Sequence, residues 1–299
     1  MLRRVNSAFV LKRLDAYERL VRLDKPIGIL LLLWPTLWAV WIAARGWPPK
    51  AFVIIFVLGT VLMRSAGCAI NDFADRKFDP HVERTKDRPL ATGEITPAEA
   101  LGVGVFFALL SFALVLFLNR FAILLSFVAL AIAWSYPFVK RVFALPQAYL
   151  GIAFGFGIPM AFAAIQGRLP WECWALLAAN IFYAIGYDTE YAMVDRDDDR
   201  KLGIRTSALT FGRWDVAAVI FCYSATLAIL AGIGWKLNFP VPYYGGILIA
   251  ALLVIHHWWL IRSRKREDCF RAFRNSHWIG AAVLAGILAP MAIRMFPVR

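Results

Sequence analysis

Charge is scarce in this sequence, and the scarcity decides its solvent. Only 18% of the 299 residues are charged, 61% are hydrophobic and the mean hydropathy is +0.62, a balance that excludes an ordinary soluble domain. Cysteine is sparse as well. Cys68, Cys173, Cys222 and Cys269 stand far apart, without the paired spacing of a zinc site or redox dithiol, and are expected to be free thiols packed among helices. The first residues are basic but lack a short apolar core with a small-residue cleavage site, so 1–25 reads as a cytoplasmic amphipathic lead-in and not as a removable signal.

What is abundant is apolar sequence in blocks long enough to cross about 30 Å of hydrocarbon. Nine such blocks are centred in 26–44, 51–70, 98–118, 121–138, 146–165, 171–190, 214–234, 242–261 and 277–295. They predict an all-α integral membrane protein, a single domain over 1–299 with nine transmembrane helices. The net charge of +13 would suit nucleic acid if the basic residues ran together. They sort by side instead: 25 of the 33 Lys and Arg fall in the N-terminal segment and in the loops at 76–88, 140–141, 196–213 and 262–274, and seven on the other side, with Arg64 inside a block. The positive-inside rule then places the N-terminus and these loops in the cytoplasm and the C-terminus outside, and nucleic acid is not needed.

Two stretches break the apolar pattern with dense charge, in cytoplasmic loops expected over 71–97 and 188–213. The first runs Asn71-Asp-Phe-Ala-Asp-Arg-Lys-Phe-Asp79 and the second Asp188-Thr-Glu-Tyr-Ala-Met-Val-Asp195-Arg-Asp-Asp-Asp199. Asp75 to Asp195 and Asp79 to Asp199 are both offsets of 120 residues, each after a block running toward the cytoplasm. Residues four apart share a helix face, so Asp75 would point with Asp79 and Asn71, and Asp195 with Asp199, with Asp188 two turns earlier. Carboxylates so placed repel unless a cation lies between them, and hard oxygen donors suit Mg²⁺ bridging to phosphates. The pattern predicts a diphosphate clamp. Asp197, Asp198, Glu83 and Asp87 fall outside it and read as solvated charge, and no calcium loop begins at Asp195.

Magnesium alone does not neutralise a diphosphate, so Arg84, Arg88, Lys140 and Arg205 are candidates to complete the clamp. Arg64, two turns before Asn71 in an apolar helix, should face the interior, toward a carboxylate or an anionic substrate group. Tyr136, Tyr187 and Tyr191 adjoin the polar motifs and are placed to shield an allylic cation. Gly151, Gly155, Gly157 and Pro159 read as close helix packing, and His256-His257 as the end of a span, with no metal assigned.

These motifs resemble the UbiA family of membrane prenyltransferases over nearly the whole chain. The resemblance rests on Arg22-Leu-Asp-Lys-Pro-Ile-Gly28 leading into LLLLWPTLWAVW, on CAINDFADRKFDPHVERTKDRPLATG, on SYPFVKR and on YDTEYAMVDRDDDRKLGIRTSAL. The first, third and fourth point to the branch that prenylates 4-hydroxybenzoate for ubiquinone. The resemblance implies a multi-pass protein of the bacterial inner (cytoplasmic) membrane, a bundle around a central cavity, and lateral entry of the lipid tail. It implies that Asn71, Asp75 and Asp79 hold one Mg²⁺ and Asp195 and Asp199 another, with Asp188 close by, and that Lys140, Arg84 and Arg88 grip a polyprenyl diphosphate. Arg64 and Arg141 become candidates for the acceptor carboxylate, and Asp195 for helping to deprotonate the phenol. Rival readings are a transferase of the same family with another aromatic acceptor, a divalent-cation transporter, and CDP-alcohol phosphotransferase chemistry. Charges at helix ends count against the transporter, and two separated acidic stretches against the phosphotransferase.

Overall fold

In a computed structural model, which describes residues 7–139, 145–203 and 206–293, the chain is helical throughout. The helices are α1 (Ser7–Val21), α2 (Ile27–Ala44), α3 (Lys50–Asp75), α4 (Pro97–Val115), α5 (Arg120–Val139), α6 (Pro146–Gly155), α7 (Gly157–Gln166), α8 (Trp171–Leu202), α9 (Ser207–Phe211), α10 (Asp215–Lys236), α11 (Val241–Ile261), α12 (Arg266–Asn275) and α13 (His277–Ala292). All nine apolar blocks fall on helices. Seven helical stretches among the described residues are long and apolar enough to cross a membrane. The other two blocks lie on α8, whose Glu172, Asn180, Asp188 and Glu190 dilute its apolar character, and on α13, which has 16 residues.

Two expectations about local structure change. The fifth block is two helices, broken between Gly155 and Gly157. Pro159 has no N–H to offer the Gly155 carbonyl, and its ring crowds that position, which favours a break here. The second acidic stretch, expected as a loop from 188, is helix as far as Leu202, where Gly203 closes it in the left-handed conformation (φ 68°). At about 1.5 Å per residue α8 is roughly 48 Å long, so its last turns project beyond the hydrocarbon.

The turns at the end away from the acidic residues are short and built on proline. Pro49, Pro170 and Pro240 sit in extended conformation just before α3, α8 and α11. At the acidic end, α4 begins with a capping box in which Thr96 and Glu99 satisfy each other's backbone N–H. α2, α8 and the α10–α13 group form the buried centre, where Trp38, Phe162, Tyr183, Tyr223 and Tyr243 are fully enclosed. Their polar atoms are bonded across helices. Trp38 Nε1 donates to the Gly280 carbonyl (3.0 Å), Tyr183 Oη to that of Ser276 (2.9 Å) and Asn180 Nδ2 to that of Gly151 (2.8 Å). Outward faces are apolar: Phe106 and Leu109 on α4, Leu124 and Phe127 on α5, and Leu248 and Leu252 on α11 present a lipid girdle.

A second small core joins α1 to the acidic end through Ala16, Leu20, Ala69, Leu90, Ile95 and Ala100. Close backbone approach occurs where glycine was expected: a Cβ on Gly151 would meet Ile181 Cα at 2.7 Å. It also occurs between α11 and α13, where a Cβ on Gly246 would lie 2.5 Å from Gly286 Cα. Gly246→Val should therefore force α11 and α13 apart and cost about 1–3 kcal/mol. Thermal unfolding in detergent should show this drop, and Gly245→Ala, with nothing within 4 Å, should not.

Candidate diphosphate and metal site

α3 delivers Asn71 and Asp75 at its last turn, and α8 delivers Asp188, Asp195 and Asp199 along one face. With Asp79 they line a single cavity of about 1560 Å³. Asp195 and Asp199 share a helix face as their spacing predicts. Asp75 and Asp79 do not: α3 ends at Asp75, and Asp79 opens a separate single turn over Asp79–His81. Pro80 contributes to the break, since its missing N–H cannot bond the Arg76 carbonyl and continue the ladder. Asp79 is therefore placed by the turn and not by α3, and Thr85 Oγ1 donates to its carbonyl at 2.8 Å.

The mouth is organised by ion pairs, and the organising acid is one the spacing passed over. Asp72 is buried, and its Oδ1 accepts from Arg22 Nη2 (2.6 Å) and Arg88 Nη1 (3.0 Å). The same Arg88 nitrogen reaches Asp79 Oδ2 at 2.9 Å. Burial pulls the Arg88 guanidinium down, and Arg22 adds to that, while Asp72 and Asp79 hold it up. Arg84 Nε donates to Asp195 Oδ2 at 2.8 Å, and its guanidinium lies over the Tyr191 ring at 4.4 Å. Asp72 was detectable only as the residue after Asn71 in the motif, facing away from the cavity.

Arg64 lines the cavity as expected, but among the described residues it makes no ion pair. Its Nη1 donates to Cys68 Sγ, its Nε is buried without a hydrogen-bond partner, and its Cζ lies 5.8 Å from the Phe154 ring centre. Gly28 leaves it room: a Cβ there would come within 2.6 Å of Nε. Tyr136, Tyr187 and Tyr191 also face the cavity. Tyr187 is packed edge-on against Tyr183 at 5.1 Å, and Tyr191 stacks on Phe273 at 4.3 Å. Lys140, Arg141 and Arg205 lie outside the described residues. Of the acids read as solvated, Glu83 pairs with Lys86, Asp198 faces Arg266, and Asp87 is exposed at the rim of the cavity.

Beyond this polar mouth the cavity is mainly apolar. It runs past Ile70, Met63, Phe56 and Ile55 on α3, with Leu114, Leu118, Leu130 and Phe154 opposite. Phe56 lies 15 residues before Asn71, a depth of about 22 Å along the helix.

Asp79, Asp195 and Asp199 are buried, and Asp195 Oδ1 accepts no hydrogen bond, with Arg266 Nη2 3.7 Å away. Asp199 is pushed up to about 7 by burial, with Asp195 adding its repulsion, and Asp79 is pushed up by burial against the pull of Arg88. Such carboxylates fit a hard cation, which would offset both costs. No three acidic, His or Cys side chains among the described residues meet around one point.

Against known proteins, the profile of the UbiA prenyltransferase family matches residues 32–283. The chain belongs to the UbiA prenyltransferase family. A curated protein of Thiobacillus denitrificans, named 4-hydroxybenzoate octaprenyltransferase, is 58% identical over 289 residues, covering 96% of this chain and 99% of its own. One of the same name from Azoarcus sp. is 60% identical over 275 residues, covering 92% and 96%. Among solved structures, a UbiA homolog from Aeropyrum pernix K1 is similar with TM-score 0.75 at 26% identity, covering 89% of this chain and 98% of its own. A UbiA homolog from Archaeoglobus fulgidus, solved bound to DMAPP and Mg²⁺, shares the fold with TM-score 0.69 at 18% identity, covering 93% and 99%.

In this UbiA chain the reverse face of α8 holds a polar group that the sequence reading did not assign. Glu190 is fully buried between His257 (Nδ1 to Oε1, 2.7 Å) and Tyr223 (Oη to Oε2, 3.1 Å). His257 therefore locks α8 to α11 and does more than end a span. The charge at the mouth has a consequence for pH. A folded Asp199 keeps its proton up to about 7, whereas an unfolded aspartate loses it near 4. Without divalent cation, the stability conferred by that proton is present at low pH and is lost as pH rises between about 4 and 7, and Asp79 acts in the same direction. Unfolding temperatures measured in EDTA across that range should fall with pH, and Asp199→Asn should flatten the slope.

Proposed function

We propose that this chain transfers a polyprenyl group from polyprenyl diphosphate to the ring carbon of 4-hydroxybenzoate ortho to its hydroxyl, in ubiquinone biosynthesis, with Mg²⁺ as cofactor. The observation that carries the reading is one cavity with buried carboxylates and arginines at its mouth and an apolar wall below. That combination suits an amphiphile with a charged head and a long hydrocarbon tail, and the relatives named above are 4-hydroxybenzoate octaprenyltransferases.

Asn71, Asp75 and Asp79 on one side and Asp195 and Asp199 on the other would hold the metal, with Asp188 adjoining. Bound Mg²⁺ offsets the negative charge that grows on the diphosphate as it leaves. Arg84 touches Asp195 and Arg88 touches Asp79, and both would turn toward phosphate oxygens, which they can grip bidentately. Tyr136 and Tyr187 line the cavity where the allylic carbon becomes positive and would shield it from water, while Tyr191, stacked on Phe273 and carrying Arg84 over its ring, would steady that arginine beside the diphosphate. The acceptor carboxylate goes to Arg64, whose buried Nε has no partner, which directs the phenol end toward the mouth and Asp195. Lys140, Arg141 and Arg205 are further cations for the two anionic groups.

The basic residues gathered at the acidic end support a cytoplasmic mouth and N-terminus in a bacterial inner membrane. The tail would enter from lipid, since the apolar wall is formed in part by the peripheral helices α4 and α5. Membranes carrying the protein, supplied with 4-hydroxybenzoate, Mg²⁺ and prenyl diphosphates, should yield 3-polyprenyl-4-hydroxybenzoate by mass spectrometry. EDTA, Asp75→Ala or Asp195→Ala should each lower the rate roughly 100-fold or more. Unchanged rates in both variants would overturn the site assignment, and absence of the product would overturn the reaction. Arg64→Ala should raise KM for 4-hydroxybenzoate about tenfold, the scale of one charge-assisted contact, with less effect on KM for the diphosphate.

A further inference from the structure

A second recess, of about 490 Å³, opens at the same end of the bundle and shares no residue with the main cavity. It lies between the last turns of α8, the short α9 and the segments joining α9 to α10 and α11 to α12. Arg196, Arg200, Arg213 and Arg264 line it. Arg196 and Arg200 are four apart on α8 and so occupy a different face from Asp195 and Asp199. Two of the four, Arg196 and Arg264, meet one buried carboxylate, Asp215, which pairs with Arg196 and takes two nitrogens of Arg264, Nη2 at 2.8 Å and Nε at 3.0 Å. Arg264 holds a left-handed backbone (φ 54°), a conformation unfavourable for its type that this double contact pins.

One aspartate does not balance four arginines, and Asp197, beside Arg196 on α8, is exposed to solvent. Burial pulls the Arg196 guanidinium down, and Arg264 and Arg200 add their repulsion. Its Nε is buried without a hydrogen-bond partner. Positive charge left in excess around a recess, with an unused donor, is the complement of a phosphate group. The surroundings say where that phosphate comes from. Exposed Trp214 carries Arg213 over its ring at 5.2 Å, and exposed Trp258 and Trp259 flank Arg262, which lies 3.6 Å from the centre of the latter ring. Indole rings and arginines at the ends of membrane helices mark the headgroup level of a bilayer.

We propose that this recess binds the headgroup phosphate of an anionic phospholipid, anchoring the cytoplasmic corner where α8, α10 and α12 meet. Purified protein in detergent is titrated with phosphatidylglycerol or phosphatidylcholine and followed by native mass spectrometry and thermal unfolding. The wild type should retain phosphatidylglycerol preferentially and gain thermal stability from it. The variant Arg200→Ala/Arg213→Ala removes two exposed members and leaves the Arg196–Asp215–Arg264 cluster in place. It should bind phosphatidylglycerol on the order of 20-fold more weakly while its response to phosphatidylcholine is unchanged. Lys50→Ala/Arg168→Ala, which removes equal charge at the opposite end, should behave as wild type, and Arg200→Lys/Arg213→Lys should recover most of the binding. Equal binding of phosphatidylglycerol by wild type and the Arg200→Ala/Arg213→Ala variant would overturn the site. A stabilisation by millimolar inorganic phosphate as large as that by the lipid would overturn the lipid as its occupant.

Discussion

Carboxylates withdrawn from water need cations, and that requirement shapes the whole acidic end of the bundle. Asp72 is the clearest case. It is buried, takes Arg22 from the lead-in to α2 and Arg88 from the segment after α3, and through Arg88 fixes Asp79. Three stretches distant in sequence are thereby tied to one point. An isolated buried charge would be strongly unfavourable, so each link is needed for the others to be tolerable. The left-handed backbone at Arg22 (φ 58°) belongs to the same arrangement, as that at Arg264 does around Asp215.

The same logic divides α8 by face. One face carries Asp188, Asp195 and Asp199 into the cavity, where Arg84 and Arg266 face Asp195. Another carries Glu190 against Tyr223 and His257, where the account is closed inside the protein. A third carries Arg196 and Arg200 into the second recess, where the excess is positive. A helix fixed internally on one side can present charge of opposite sign on the other two. Uncompensated charge in a buried setting is what ligands of opposite charge bind to.

Much of this was legible in residue spacing. Apolar blocks of spanning length specify helices because lipid leaves backbone groups no partner outside the helix. Asp195 and Asp199 were readable as a pair because both lie on continuous helix. Asp75 and Asp79 carry the same spacing, yet α3 ends at Asp75, and only the turn over Asp79–His81 brings Asp79 back to the mouth. Asp72, Glu190 and His257 were not assigned because their partners lie 16 to 67 residues away, and no periodicity encodes a contact across helices.

The sequence by itself determined the solvent, the helical class, the asymmetry of basic charge and the two sets of oxygen donors. These follow from local composition and from the 3.6-residue repeat, which need no knowledge of neighbours. The tertiary structure decided which charges are answered. Whether Arg64 meets a carboxylate or is left with a free nitrogen, whether Asp72 or Asp75 is the structural acid, and whether four arginines near Asp215 are dispersed or convergent all depend on how helices pack. Packing sets the distance between charges and the amount of water left around them, and those two quantities decide whether a charge holds the fold together or waits for a ligand.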